Sequence, residues 1–165
     1  MSDKASPATM TARATAALAL LLVNGFLLNN LLFPHFIGIN DGAREVSTYC
    51  GVVFFLLLGV AAYRKPSVFR EKAWSAISFL ALFAGIAFLY LGITLRSPLL
   101  LAIGSPFGGI GTVWFAVLTF LTLMKLGPAR CTVCIPTAFV ASYAVNLALS
   151  LAPVPFELGL ALYAL

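Results

Sequence analysis

Charge is what this sequence has least of. Only 9% of its residues are charged, whereas a soluble domain has about 25%. No charged residue lies between Ser97 and Met124, hydrophobic residues make up 62% of the chain, and the mean hydropathy is +1.06. A soluble core is therefore excluded, and the chain is predicted to lie in a lipid bilayer. The net charge of +5 indicates cytoplasmic loops rather than a nucleic-acid surface, so no direct contact with nucleic acid is expected.

Catalytic motifs are also missing. The chain has no HExxH, P-loop or GxSxG pattern and no paired carboxylates. Its five acidic residues all lie in the termini or in predicted loops: Asp3, Asp41, Glu45, Glu71 and Glu157. Ion-coupled pumps usually carry a charged residue inside a span, and none occurs here. We therefore predict no enzyme activity and no cofactor.

Cysteine and histidine are scarce, at three residues and one. Cys131-Thr-Val-Cys134 could have a lowered thiol pKa beside Arg130, or hold zinc across a dimer. There is no second CxxC motif and no histidine partner, which favours two small apolar residues without chemistry. His35, beside a proline at the outer rim, could be a proton switch, but an interfacial side chain without a role is favoured.

The apolar runs predict an all-α, multi-pass membrane bundle with five full spans and a partial sixth. Residues 1–11 are predicted to be a disordered cytoplasmic N-terminus, and residues 12–165 the transmembrane bundle. The spans are expected at about 12–33, 46–63, 73–95, 107–125, 131–152 and, in part, 156–165. The last run is too short to cross a bilayer. It either lies in the interface or begins a sixth span of a longer protein, and the second interpretation is favoured.

The basic residues set the predicted orientation. Eight of them fall in alternate segments: Lys4, Arg13, Arg64, Lys65, Arg70, Lys72, Lys125 and Arg130. The opposite segments contain two, Arg44 and Arg96. The positive-inside rule then places the N-terminus in the cytoplasm. Arg64, Lys65, Arg70 and Lys72 could also contact anionic lipid headgroups, or serve only as a topology signal.

The fourth span contains the stretch Gly104-Ser-Pro-Phe-Gly-Gly-Ile-Gly111. Proline and glycine predict a break here, with a short outer piece at Pro98–Ile103, a turn, and a spanning helix from Phe107 to Lys125. Gly104, Gly108 and Thr112 recur every four residues, a spacing that lets another helix approach closely.

Asparagine is the unusual residue of the first span. Asn24 shares a helical face with Leu28, Leu31 and His35. Asn29 and Asn30 lie on other faces. An asparagine in lipid needs a hydrogen-bond partner, so these faces are expected to face other helices.

Three features resemble the membrane region of certain bacterial LuxR-type regulators. They are the basic loop after span 2, the stretch Gly108-Gly-Ile-Gly-Thr-Val-Trp114, and Leu126-Gly-Pro-Ala-Arg130 leading into span 5. The resemblance covers about residues 12–152. Such regulators have a bundle similar to a major-facilitator transporter, followed by a cytoplasmic helix-turn-helix domain, which these 165 residues lack. The chain resembles the first half of that bundle, and the resemblance implies a location in the bacterial inner membrane. The loop from Arg64 to Lys72 lacks the Gly and Asp of the transporters, which favours a sensor.

The resemblance implies that the first and fourth helices line a central cavity. We predict a ligand pocket formed by Asn24, Thr112, Trp114 and Phe115, for a neutral or weakly polar ligand. The alternative, which is favoured for Asn24, is that it only bonds a neighbouring helix. The expected function is the signal-input region of such a regulator. The alternatives are half of a transporter for a neutral solute and a small structural membrane protein. Expected partners are the bilayer, a small apolar ligand, and a missing C-terminal half or a second copy.

Overall fold

The computed structural model describes residues 6–65, 71–152 and 154–164, without the side chains of Glu71 and Ala164. These residues form helices and no strand. The helices are α1 (Pro7–Leu27), continued by a π-helical turn (Leu28–Leu32) and a 3₁₀ turn (Phe33–Phe36), α2 (Ala43–Arg64), α3 (Glu71–Thr94), α4 (Pro98–Met124), α5 (Pro128–Leu151) and α6 (Phe156–Ala164).

Five of the helices are long and apolar enough to cross a membrane, as the sequence predicts. Large apolar side chains point outward from them; Leu56 on α2, Leu80 on α3 and Val140 on α5 are 62%, 72% and 70% exposed. Such a surface is stable only when lipid covers it. The chain is therefore an all-α helical bundle of the multi-pass membrane type.

Helix α1 begins earlier than the sequence indicates. Pro7 is in the first turn, and the Ser6 hydroxyl accepts a hydrogen bond from the Thr9 N–H at 3.2 Å. Proline is favoured at the first helical position, and serine is a preferred N-cap. The prediction of a disordered N-terminus is therefore wrong for residues 7–11. Residues 1–5 lie outside the described residues.

The C-terminal end of α1 continues as a π turn that contains Asn29 and Asn30. Their side-chain amides donate to the carbonyls of Gly25 and Phe26, at 2.8 and 3.1 Å, and both residues are exposed. They therefore find their partners within their own helix, four residues back. The expectation that these two residues face other helices is wrong, because local carbonyl acceptors satisfy their amides.

Helix α4 is continuous from Pro98 to Met124, with Pro106 inside it. The predicted turn after Ile103 and the predicted helix start at Phe107 are therefore wrong. Neighbouring helices pack against this stretch, and buried, enclosed backbone tolerates a proline that lipid-facing backbone would not. The Ser105 hydroxyl also donates to the Leu101 carbonyl at 2.7 Å, in the turn that precedes the proline.

Helices α3 and α4 form an antiparallel hairpin with a tight seam. Arg96 ends α3 in a left-handed conformation (φ 49°), and Ser97 caps α4. At each level along this seam, one residue of α3 faces one residue of α4, and at least one of the two is glycine. The facing pairs are Gly92 with Leu101, Leu89 with Gly104, Gly85 with Gly108, and Leu82 with Gly111. Because glycine has no side chain, the two backbones approach closely, and α3 contacts α4 along most of its length.

The other helices surround this hairpin. Helix α2 packs on a second face of α4, where Ser47 and Gly51 meet the backbone of Gly109. Helix α5 packs on α1 through Ala14, Leu18, Cys134 and Ala138, which are all buried. Helix α6 lies against α1 and α3 and buries Leu160 and Tyr163 beside Leu32 and Leu82. Helix α6 therefore packs along α1 inside the bundle.

Candidate ligand-binding cavity

A cavity of about 370 Å³ lies between α1, α3, α4 and α6. Its volume falls within the range of small-molecule sites. Among the described residues, no lining residue is charged. The lining residues are Ala17, Leu20, Leu21 and Asn24 from α1; Phe79 and Leu82 from α3; Thr112, Phe115, Leu118, Thr119 and Thr122 from α4; and Tyr163 from α6.

The cavity runs along the inner half of α4, as the predicted topology orients that helix. Thr112 and Thr122 are ten residues apart, which is about 15 Å of helix, or half of a bilayer core. Leu20 on α1 and Phe79 on α3 both line the cavity and remain 61% and 48% exposed. The cavity therefore opens between these two helices, on the side that faces lipid.

Asn24 and Tyr163 form the roof of the cavity. The Asn24 side-chain amide donates to the Tyr163 backbone carbonyl at 3.1 Å. Tyr163 is 1% exposed, and its hydroxyl lies 3.6 Å from the position that a Cβ on Gly108 would take. This bond satisfies a carbonyl near the end of α6 and joins α6 to α1. Asn24 thus has the interhelical role that the sequence favours, and it also lines the cavity.

The rest of the predicted Asn24 face also meets α6. A Cβ on Gly159 would lie 3.5 Å from Leu31 Cδ1, and the rings of His35 and Phe156 are 4.7 Å apart. Leu31, His35 and Asn24 thus contact α6 at successive turns. His35 is exposed and packs on an aromatic ring. It lies where α1 leads into the loop before α2, away from the cavity.

Three of the four residues predicted to form a pocket meet at the cavity: Asn24, Thr112 and Phe115. Trp114 does not. It is 1% exposed, its indole N–H donates to the Ser75 hydroxyl at 3.0 Å, and its ring lies 5.8 Å from that of Trp74. Neighbouring residues on a helix point about 100° apart. Since Phe115 faces the cavity, Trp114 points toward α3 instead, and its prediction as a pocket residue is wrong.

The predicted packing row on α4 divides into two parts. Gly104 and Gly108 pack against α3, where a Cβ on Gly104 would come within 2.9 Å of Phe88 Cβ. Thr112 is not in this seam. Its hydroxyl donates to the carbonyls of Gly108 and Gly109, at 3.3 and 3.1 Å, and its side chain borders the cavity. The α4 residues that face α3 are spaced alternately three and four apart, as the helical repeat of 3.6 residues requires. A row of residues at every fourth position therefore turns away from α3, and Thr112 lies on a different face.

The remaining candidates lie away from the cavity. Arg64, Lys65 and Lys72 are exposed at the ends of α2 and α3, where they remain predicted lipid-headgroup contacts, and Arg70 lies outside the described residues. Cys134 Sγ accepts from the Thr15 hydroxyl at 3.2 Å, and the Cys131 thiol donates to the Leu123 carbonyl at 3.2 Å. Both cysteines thus have hydrogen-bonding partners where α5 packs on its neighbours.

The sequence analysis did not identify several residues that line the cavity or pack between helices. Thr119 and Thr122 follow Thr112 and Phe115 at a spacing of three and four residues, a pattern that identifies one helical face. Small residues recur at every fourth position on α2, at Ala43, Ser47 and Gly51. This spacing could have been recognised in the sequence as a helix-packing face. Tyr163 gave no such signal, because its position depends on how α6 folds back between α1 and α3.

The chain matches no protein-family model, no curated protein and no solved structure. The cavity and its lining residues are therefore the features from which a function can be inferred.

Proposed function

We propose that the chain is a membrane-embedded receptor domain that binds a small neutral, largely apolar molecule in the cavity between α1, α3, α4 and α6. The cavity itself carries this proposal. It has the volume of a small-molecule site, apolar walls, a few polar groups and, within the described part of the chain, no charged lining residue. Its opening between α1 and α3 suits a molecule that arrives from the lipid phase.

The finer assignment is the signal-input region of a LuxR-type regulator in a bacterial inner membrane. Its support is the sequence resemblance described above, together with a cavity bordered by both the first and the fourth helix. In that role, ligand binding between the helices would change their packing and pass the signal to a cytoplasmic helix-turn-helix domain. The reading frame downstream of Leu165 is the direct test. A continuous frame that encodes further spans and a helix-turn-helix supports the assignment, and a second bundle without one contradicts it.

A transporter half-bundle is the second candidate, and one observation favours it. A further cavity of about 370 Å³ lies between α2 and α4 in the outer half, lined by Ser47, Gly51, Gly109, Val113 and others. Thr112 borders both cavities. Two cavities that share a lining residue would suit the two halves of a solute path through the bundle. Flux of a neutral solute through proteoliposomes would favour transport over sensing.

Binding itself can be tested with a matched pair of probes, decanol and decanoate, which share a chain length and differ in charge. We expect equilibrium dialysis to retain more radiolabelled decanol with protein-containing nanodiscs than with empty ones. Decanoate should show no such excess, because the cavity offers no cation to a buried carboxylate. The variant Ala17→Phe fills the cavity and should abolish the excess.

Ala16→Phe is the matched control. Ala16 precedes Ala17 on the same helix but borders the groove between α1 and α5. The Ala16→Phe side chain adds the same volume outside the cavity, so this variant should bind decanol as the wild type does. Equal retention by empty nanodiscs and by the wild type, or by the wild type and Ala17→Phe, would exclude the cavity as a binding site.

A further inference from the structure

The hydroxyl groups on α4 share one feature that limits which ligands the cavity can accept. Thr119 Oγ1 donates to the Phe115 carbonyl at 2.8 Å, and Thr122 Oγ1 donates to the Leu118 carbonyl at 2.8 Å. Thr112 bonds the carbonyls of Gly108 and Gly109 in the same way. A carbonyl oxygen can only accept, so each hydroxyl proton is committed to the helix.

These threonines therefore offer the cavity only oxygen lone pairs. Thr112, Thr119 and Thr122 lie along one wall and give it a row of acceptors. Thr119 is 6% exposed, so its oxygen is shielded from the surrounding solvent. Groups that can donate, the Asn24 amide and the Tyr163 hydroxyl, lie at the roof instead. The wall can therefore bind a hydrogen-bond donor of a ligand, whereas the roof can bind an acceptor.

We propose that this wall selects a neutral lipophile with a hydrogen-bond donor, such as an aliphatic or aromatic alcohol, whose O–H donates to Thr119. The inference rests on the proposed function and adds the ligand's chemical class. An anion would meet the acceptor oxygens and, among the described lining residues, no cation. A cationic amine would have the donors but no carboxylate to balance its charge in a low-dielectric site. The neutral hydroxyl compound meets neither penalty.

Two probes test this, one whose oxygen carries a hydrogen and one whose oxygen carries a methyl group instead. Decanol can donate, whereas decyl methyl ether has the same chain and can only accept. Each affinity is measured by equilibrium dialysis in nanodiscs for the wild type and for Thr119→Val, which has nearly the same shape without the hydroxyl. The ratio between wild type and variant for one probe cancels that probe's own partitioning into lipid. We expect the variant to weaken decanol binding about fivefold and to leave ether binding unchanged.

Two further variants guard against a structural explanation. Thr119→Ser keeps the hydroxyl and should restore decanol binding. Thr137→Val removes a hydroxyl that bonds its own helix in the same way, to the Val133 carbonyl at 2.7 Å, but lies on α5 outside the cavity. It should not change binding. Weakening of both probes by Thr119→Val, or of neither, would overturn the donor inference while the proposed cavity stands. Absence of specific binding of both probes to the wild type would overturn the proposed function as well.

Discussion

Glycines along the α3–α4 seam differ in what an added methyl group would meet. A Cβ on Gly85 would lie 2.6 Å from the Gly108 backbone nitrogen, whereas the nearest atom to a Cβ on Gly108 is the Tyr163 hydroxyl at 3.6 Å. We therefore expect Gly85→Ala to lower the free energy of unfolding by about 2 kcal/mol. Gly108→Ala should not lower it, because the added methyl group meets only ordinary van der Waals contacts. Thermal unfolding of both variants in detergent measures the difference.

The matched pair separates close packing from the intrinsic cost of glycine in a helix. Both substitutions raise helix propensity by about the same amount, roughly 1 kcal/mol, so any gap between them reports contact at the seam. Equal midpoints for Gly85→Ala and Gly108→Ala would mean that α3 and α4 are farther apart than the structure places them.

The cysteines of α5 allow a second prediction at the residue scale. Serine can accept from Thr15 as Cys134 does, and it can donate to the Leu123 carbonyl as Cys131 does. The double variant Cys131→Ser, Cys134→Ser should therefore change the free energy of unfolding by less than about 1 kcal/mol. It should also leave decanol binding unchanged. Stoichiometric zinc in the purified wild type that disappears in the double variant would show that the pair has a chemical role after all.

Helix α4 contains two prolines in different settings. Pro98 is in the first turn, where proline is favoured, whereas Pro106 lies in the helix interior. Pro106→Ala restores a backbone donor and should stabilise the protein by about 1 kcal/mol. Pro98→Ala loses a preorganised helix start and should destabilise it by about 0.5 kcal/mol. The two midpoints are compared in one detergent. A loss of stability for Pro106→Ala would favour the turn that the sequence suggested.

The error over α4 shows where sequence reasoning reaches its limit. Proline and glycine carry a local preference for turns, and that preference alone predicts a break at Pro106. Here the glycines serve packing, because Gly104 and Gly108 face α3 while Gly109 faces α2. Which of the two uses applies depends on the neighbouring helices. A residue-by-residue interpretation cannot supply those neighbours.

The bundle's overall class, by contrast, follows directly from local composition. Long uncharged runs bounded by basic loops predict five spans, and the structure has five helices that can cross a membrane. Hydrophobicity is a property of each segment, so it can be read from the sequence. Asn24 and Thr112 could be placed at one cavity because both are polar and sit on helices that the resemblance brings together. Trp114 could not be placed, because its direction depends on the rotation of α4 about its axis.

The molecule as a whole has two ends that can be distinguished from outside the cell. Ile37, in the loop between α1 and α2, is 75% exposed, and Ala129, at the start of α5, is exposed at the opposite end. The excess of basic residues near Ala129 and at the α2–α3 connection predicts that this end is cytoplasmic. Single cysteines at these two positions, in a chain whose native cysteines are serine, report the orientation.

An impermeant thiol reagent applied to intact cells should label Ile37→Cys and not Ala129→Cys. Both variants should react after the cells are permeabilised, which controls for accessibility of the thiol. The same orientation places the cavity in the inner half of the bilayer, since Thr122 lies near the end of α4 that leads to Ala129. Labelling of Ala129→Cys alone in intact cells would reverse the topology. The cavity would then lie in the outer half of the bilayer, and a ligand would reach it from that leaflet.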